Sequence, residues 1–422
     1  MDDNGSTPAD IGQPWKLNAG LFVGGQAVTT FGSMLVQYAI LWHVTLKTQS
    51  GAMMTLFTLA GFLPMLVTSP FAGVWADRWN RKLIINLADS AVALASLAAA
   101  AFLWAGVGEM AILLVCAAIR AFGMGVQSPA SGALLPQIVP QDKLTRVSGI
   151  QGSISSALGL AAPAVSGALM AAAPLPALFL VDVATAAVGI GVLFFMVRVP
   201  DVPVNKDIEK GGTRYFSEMR EGFRYVVKHP FILQLFGLAT VFMLLVSPAA
   251  LLTPLQVTRD FGAEVWRLTA IEITFATGMT LGGLALGVWG GFKNRALSLA
   301  VASVVFGGCA VALGVTTNFV VYLALMAVMG VAMPLYNTPS TVIIQTSVDP
   351  AVLGRVFSFF MMISGAITPL GMVVFGPMSD FVAIDTLLVV TGIGIALLAA
   401  PLLLSKSLRA VAYAPTGAAK QA

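Results

Sequence analysis

The chain has 422 residues, of which 58% are hydrophobic and only 10% are charged, with a mean hydropathy of +0.89. A soluble domain carries about 25% charged and about 45–50% apolar residues. This composition excludes a soluble enzyme or binding protein and predicts a protein that crosses a membrane many times. The net charge of +4 comes from Lys and Arg residues spread between the apolar segments, so nucleic acid is not an expected partner.

Twelve apolar stretches are long enough to cross a bilayer, which takes about 20 helical residues. The sequence therefore predicts an all-α membrane protein with twelve transmembrane helices. The spans lie near 16–46, 51–75, 83–106, 109–138, 147–172, 175–197, 230–257, 265–290, 296–316, 318–345, 355–379 and 382–404.

Lys and Arg residues accumulate before the first span and in the loops that follow even-numbered spans. Such loops lie in the cytoplasm, so both termini are predicted to be cytoplasmic. The first residues lack a basic segment ahead of a short apolar core, and we expect no cleavable signal peptide. His and Cys residues are too few and too scattered to predict a metal site or a disulfide framework.

The apolar pattern stops between Arg198 and Lys228, where Pro, Gly and both charge signs alternate. We interpret this stretch as a linker whose second part, 215–227, forms an amphipathic helix along the membrane surface. The predicted organisation is a cytoplasmic tail, two six-helix bundles joined by a cytoplasmic linker, and a second cytoplasmic tail. The corresponding ranges are 1–15, 16–197, 198–229, 230–404 and 405–422.

The two halves share short sequence elements. Gly73-Val-Trp75 precedes an Asn-Arg pair, and Gly287-Val-Trp289 does the same in the second half. A second match pairs Leu144-Thr-Arg-Val147 with Leu353-Gly-Arg-Val356 at a similar spacing. Two matches in equivalent loops indicate a duplication, and hence two pseudo-symmetric bundles.

The most specific motif is the charged loop after the second span, with Gly73, Asp77, Arg78, Arg81 and Lys82. It resembles the loop between the second and third helices of the major facilitator superfamily. We expect the glycine to let helix ends pack closely and the cations to pair with neighbouring acids. The resemblance implies that Asp77, Arg78 and Arg81 hold the two halves together in one transport state and release later. An ordinary cytoplasmic loop needs cations but no fixed Gly or Asp.

The fourth span carries Arg120 near its middle, followed by Gly123, Gly125 and Gln127. A guanidinium at the bilayer centre costs at least ~2.5–3.5 kcal/mol, so it must face a wet cavity or a partner. The segment resembles the Arg-and-glycine motif of the superfamily's fourth helix, although the glycines are shifted by one position. A transport role is predicted for Arg120, with an interhelical structural hydrogen bond as the alternative.

The fifth span places Gly149, Pro163 and Gly167 along one face. The run partly resembles the antiporter motif of drug exporters, but Leu158 and Ala162 stand where that motif has glycine. Close packing of small residues is the alternative interpretation.

Three acids lie inside apolar runs: Glu272, Asp89 and Asp182. A carboxylate within a membrane can bind and release protons, which is what a proton-coupled carrier requires. In the superfamily the third and sixth helices are peripheral, so Glu272 leads as the proton-coupling candidate. Asp89 ranks below it, and for Asp182 a hydrogen-bonded packing role is favoured.

Two further stripes fall on helices that line the substrate cavity in the superfamily, which makes them cavity candidates. Core packing is an equally good interpretation of the second stripe. The first stripe, on the first span, is Gln26, Thr30, Ser33 and Gln37, and the second, on the tenth span, is Tyr322, Met326, Met329, Met333 and Tyr336.

The whole chain resembles a major facilitator transporter, and the loop Leu135–Arg146 looks most like the macrolide-efflux branch of drug:proton antiporters. The resemblance implies export of an apolar or amphipathic compound by alternating access in exchange for protons. The partners are then the small molecule, protons and the lipid bilayer, for a monomer in a bacterial cytoplasmic membrane. A metabolite permease or a siderophore exporter on the same fold remains the alternative.

An enzyme, an ATP-driven pump and a non-transporting receptor were also considered as functional classes. The sequence has neither a Gly-x-x-x-x-Gly-Lys-Ser/Thr loop nor an HExxH motif, and no soluble segment large enough to bind a nucleotide. We therefore expect no enzyme activity and no cofactor, with the proton gradient as the energy source. The Asp77-Arg78 pair disfavours a receptor.

Overall fold

The computed structural model describes residues 14–199, 211–350 and 352–405, and these residues form helices and connecting turns without a strand. A 3₁₀ turn at Gln141–Lys143 precedes the fifth helix, and a π-helical turn at Val192–Met196 ends the sixth. The α-helices are α1 (Trp15–Thr48), α2 (Gly51–Arg78), α3 (Arg81–Trp104), α4 (Glu109–Ile138), α5 (Leu144–Ala172), α6 (Leu175–Gly191), α7 (Gly211–Lys228), α8 (Pro230–Leu251), α9 (Thr253–Asp260), α10 (Val265–Trp289), α11 (Arg295–Leu313), α12 (Phe319–Ser347), α13 (Leu353–Met378), α14 (Ile384–Leu397) and α15 (Ala399–Leu404).

Twelve segments of the described residues are long and apolar enough to cross a membrane, which confirms the predicted all-α architecture. Two predicted spans are each built from two helices. The seventh breaks between α8 and α9, and the twelfth between α14 and α15. Pro254 and Pro401 lie just after these breaks and lack the N–H that would continue the helical ladder, so proline explains both interruptions.

The chain forms two compact units. Unit 1 is Met1–His43 with Leu56–Gly212, and unit 2 is Val44–Thr55 with Thr213–Ala422. The division after Gly212 falls inside the predicted linker. The turn between α1 and α2 belongs to unit 2, although the sequence assigned it to the first bundle.

Glycines on α4 allow close helix packing in unit 1. A Cβ added to Gly125 would lie 2.9 Å from the carbonyl oxygen of Met65 on α2, and one added to Gly123 would lie 3.5 Å from the carbonyl oxygen of Ala88 on α3. Because the obstructing atom at Gly125 is backbone, a larger residue cannot be accommodated by a rotamer change. The glycines that follow Arg120 therefore set how near α4 comes to α2 and α3.

In unit 2, helix α7 packs against the start of α13. Arg355 and Glu221 form an ion pair at 2.6 Å, and the rings of Phe223 and Phe359 meet edge to face at 5.8 Å. The predicted amphipathic helix is present, and its described side chains contact a neighbouring helix. Side chains of 211–219 lie outside the described residues.

A second cluster in unit 2 fixes the first turn of α2. One carboxylate oxygen of Asp380 accepts a hydrogen bond from the Gly51 N–H at 2.7 Å, and the other accepts from the Ala52 N–H at 3.0 Å and the Ser50 hydroxyl at 2.9 Å. Arg259 donates to the same carboxylate at 3.2 Å. Asp380 thus caps the N-terminus of α2 from a distant part of the sequence.

Candidate functional site

Arg120 is held by a buried ion pair in unit 1. Its Nη1 donates to Asp182 Oδ2 and to Ser96 Oγ at 2.8 Å, and its Nη2 donates to the Ser33 carbonyl at 2.9 Å. Arg120 is 7% exposed and Asp182 is 1% exposed. Four helices, α1, α3, α4 and α6, therefore meet at one compensated pair of charges.

Two hydroxyl groups complete the surroundings of Asp182. Ser96 donates to Oδ2 at 2.7 Å and Ser33 donates to Oδ1 at 3.3 Å. Of the two environments that the sequence allowed for Arg120, the structure shows a partner and not a wet cavity. Asp182 lies at a helix packing seam, in line with the interpretation that the sequence favoured for it. A role of Arg120 in transport stays a prediction.

Gln127 reaches a different acid from Arg120, although the two residues share a face of α4. Its Nε2 donates to Asp89 Oδ1 at 2.6 Å and to Gln26 Oε1 at 3.2 Å. Ser131 also donates to Gln26 Oε1, at 3.4 Å. The cluster joins α1, α3 and α4 through neutral side chains and one carboxylate.

Glu272 lies on α10 of unit 2, about 10 Å along the helix from its start, given ~1.5 Å of rise per residue. It is half-buried, and the described residues give it neither a hydrogen bond nor an ion pair. A carboxylate in this setting remains available to bind a proton. Among the three acids that the sequence singled out, Glu272 differs from Asp182 and Asp89 in having no protein partner within the described chain.

The stripe on α12 lies mainly in the core of unit 2. Tyr322, Met326, Met329 and Tyr336 are buried and Met333 is half-buried. The Tyr322 hydroxyl donates to Gln256 at 2.9 Å, and the ring of Tyr336 stacks on Phe242 at 3.7 Å. These contacts within one unit favour the core-packing interpretation.

The stripe on α1 is more open. Gln26, Thr30 and Ser33 are half-buried and Gln37 is exposed. Gln26 belongs to the cluster around Asp89, and Ser33 to the surroundings of Asp182. A substrate-contacting role for this stripe stays a prediction.

The cations of the charged loop bind backbone carbonyls at helix ends. Arg81 donates to the carbonyls of Ala76 at 2.9 Å and Ala133 at 2.7 Å, and Lys82 donates to the carbonyl of Val197 at 2.8 Å. Cations at helix C-termini stabilise the carbonyls left without helical partners. These carbonyl contacts fall within unit 1, where the sequence had led us to expect acids as partners.

Two parts of the loop motif behave differently from the cations. A Cβ at Gly73 would meet nothing within 4 Å, so the expected close packing at this glycine is absent among the described contacts. The side chain of Asp77 lies outside the described residues, as does any contact it makes. The predicted role of Asp77, Arg78 and Arg81 in holding the two halves together stays a prediction.

The motif on α5 divides into two parts. Gly149 is exposed, whereas Pro163 and Gly167 are buried. Between the buried residues, Ser166 donates to the carbonyl of Leu35 on α1 at 2.9 Å. Close packing of small residues therefore accounts for the second part of the motif.

Sequence reasoning missed Ser96 and Asn86, both on α3. Ser96 stands in an alanine-rich helix, where a serine carries no signal of an ion-pair partner. Asn86 is detectable, because it precedes Asp89 by three residues and so shares its helix face.

Twelve spans in two compact units, with an arginine compensated inside the membrane, define a polytopic protein of the secondary-transporter class. The model of the Major Facilitator Superfamily matches residues 22–372, and the chain therefore belongs to that superfamily. The predicted family is confirmed.

Similar proteins fit the same assignment. The chain is 29% identical to macrolide efflux protein A of Streptococcus pyogenes over 381 residues, covering 90% of this chain and 93% of that one. It is 24% identical to the multidrug efflux pump Tap of Mycobacterium bovis, covering 83% and 86%. The solved structure of the nucleoside transporter NupG superposes with a TM-score of 0.68 at 15% identity, covering 92% and 99%, which shows the fold alone. The protein is a major facilitator transporter with homology to macrolide and multidrug efflux proteins.

Proposed function

We propose that the protein exports an apolar or amphipathic compound, of the macrolide or multidrug type, in exchange for protons. The similarity to two efflux proteins over most of their length supports the substrate class. The interior of unit 1 supports it as well, because Arg120 and Asp182 compensate each other and neither is left to recognise a charged substrate.

The observation that carries the exchange mechanism is Glu272. It is a half-buried carboxylate inside a span, and no described residue bonds to it. A protonated carboxyl group is neutral and tolerates an apolar surrounding, whereas the ionised form favours water or a counter-charge. Loading and unloading one proton therefore changes which surroundings Glu272 prefers.

Coupling follows if substrate and proton compete for the protein. Substrate binds the form in which Glu272 is ionised, and protonation on the side of higher proton concentration displaces it. Each ligand then favours the conformation open to the side where it is released, as a difference in affinity between two conformations requires. The site is open to one side of the membrane at a time.

The driving force is adequate for drug export. One proton moving down a potential of 100 mV releases ~2.3 kcal/mol. Since each tenfold ratio corresponds to ~1.4 kcal/mol, one proton can maintain a roughly fifty-fold gradient of a neutral compound.

The experiment is substrate-triggered proton movement in energised everted vesicles. Wild-type protein should release protons from the vesicle lumen when a macrolide is added. Glu272→Gln should abolish that proton movement. The matched control is Glu264→Gln, which changes an exposed carboxylate just before α10 and should behave as wild type.

Two outcomes would contradict the proposal. Normal proton movement by Glu272→Gln would remove Glu272 from the mechanism. Macrolide transport that ignores the proton gradient, or that runs inward in right-side-out vesicles, would contradict proton-driven export itself.

A further inference from the structure

The cluster around Asp89 is incompletely bonded. Asp89 is 4% exposed, and while its Oδ1 accepts from Gln127, its Oδ2 has no hydrogen-bond partner among the described residues. Asn86 is 6% exposed, and neither its Oδ1 nor its Nδ2 has a partner there. Buried polar atoms are normally bonded, so three unbonded atoms on two side chains call for an explanation.

The two side chains lie close together on one helix. Asn86 and Asp89 are three residues apart on α3, which places them on the same face with about 5–6 Å between their Cβ atoms. The surrounding core is apolar and includes Ile85, Ala88 and Val126. An ionised carboxylate in such a core is not stabilised enough by one amide hydrogen bond to offset its dehydration.

No charged side chain compensates Asp89 in the described part of unit 1. The charged groups that face α3 from the helices packed on it are Arg120 of α4 and Asp182 of α6, and these two bind each other. Their charges cancel, which leaves the single negative charge of Asp89. A monovalent cation would neutralise it, whereas a divalent ion would leave an excess positive charge in an apolar core.

We infer that Asn86, Asp89, Gln26 and Gln127 form a binding site for one monovalent cation, a proton or a sodium ion, held at Oδ2 of Asp89. Both ions have the same requirement, an anionic oxygen with neutral oxygens beside it. Asp89 Oδ2 is the anionic oxygen, and Asn86 Oδ1 is an unused neutral one.

The site has a route to its surface. Gln26, Gln127 and Ser131 are half-buried and stand on the outer side of the cluster, while Asp89 and Asn86 are buried behind them. A small ion can enter by displacing the hydrogen bonds of Gln26, which at 3.2 and 3.4 Å are the longest in the cluster. This site is separate from Glu272, and the inference does not rest on the proposed drug export.

The test uses the purified full-length protein and two readouts that involve no transport. The first is the melting temperature, measured against NaCl with choline chloride as the matched salt, and against pH in choline chloride. The second is the infrared carbonyl band of a protonated carboxylic acid, recorded in the Glu272→Gln background so that this acid does not contribute.

A sodium site predicts that NaCl raises the melting temperature of the wild type while choline chloride does not. A proton site predicts instead a protonated-acid band and stabilisation as the pH falls. In either case Asp89→Asn should abolish the response, and Asn86→Ala should weaken the apparent affinity by about tenfold, as loss of a supporting group around a bound ion does.

The control is Glu272→Gln alone, which should keep the cation response of the wild type. The inference is overturned if Asp89→Asn responds to both cations as the wild type does, or if the wild type responds to neither and shows no acid band. Should Asp89→Asn fail to fold, an Asn86→Ala variant with unchanged cation affinity would overturn the inference equally.

Discussion

Asp182 and Asp89 have the same burial but different surroundings. They are 1% and 4% exposed, and both belong to spans of unit 1. Asp182 binds a guanidinium and two hydroxyl groups, whereas Asp89 binds one carboxamide. Burial alone therefore does not decide whether an intramembrane acid is structural. Its partners do, because only a fixed counter-charge makes the ionised form permanent.

Helix α4 supplies the main partner of each acid. Arg120 and Gln127 are seven residues apart, two helical turns on one face. The cation reaches α6 and the amide reaches α3. One helix thus builds a fixed ion pair at one level and leaves a net negative charge at the next.

The largest effect is expected from breaking the ion pair. Arg120→Met leaves Asp182 buried without its counter-charge and should lower the free energy of unfolding by ~3–5 kcal/mol. The measurement is denaturant unfolding in mixed micelles. The double variant Arg120→Met with Asp182→Leu removes both charges and should recover most of the loss. A double variant as unstable as the single one would show that the charges themselves are not the cause.

The sequence predicted the spans well because about 20 apolar residues in a row can only be buried in lipid or in a core. It placed Arg120 and Asp182 inside the membrane but could not pair them, since the pairing depends on how α4 and α6 pack. It also expected acids around Arg81 and Lys82, where the described contacts are helix-end carbonyls. Carbonyls occur at every residue, so sequence carries no signal for them.

The next effect tests whether α4 must lie close to α2 to deliver both partners. Gly125→Ala places a methyl group 2.9 Å from the Met65 carbonyl oxygen and should destabilise the protein by ~1–3 kcal/mol, as overpacking does. Gly132→Ala on the same helix is the matched control, because its Cβ would meet nothing within 4 Å. Equal melting temperatures for the two variants would contradict the close approach.

A third acid, Asp380, extends the comparison to the end of a helix. Asp380→Ala removes the cap of α2 and should lower the free energy of unfolding by ~0.5–2 kcal/mol. Burial by itself raises the pKa of Asp380, but hydrogen bonds from Ala52, Gly51, Ser50 and Arg259 outweigh it and hold the pKa below the usual value.

Because its pKa is lowered on folding, Asp380 stabilises the folded state fully above the ordinary aspartate pKa of about 4. That contribution should disappear as the pH falls through the lowered value. Melting curves of the wild type and Asp380→Ala should therefore differ at pH 7 and converge at strongly acidic pH. A difference that grows as the pH falls would contradict this assignment.

The smallest effect is expected where the comparison is most direct, with the same substitution at both buried acids. Asp89→Asn keeps an oxygen to accept from Gln127 and removes a charge that no described cation compensates, so the free energy of unfolding should change by less than about 1 kcal/mol. Asp182→Asn leaves Arg120 buried without its counter-charge and should lose ~3–5 kcal/mol. The pair of variants is compared by denaturant unfolding at pH 7 in choline chloride. Equal losses at the two positions would mean that Asp89 has a fixed counter-charge after all, and the distinction between a permanent and an exchangeable acid would disappear.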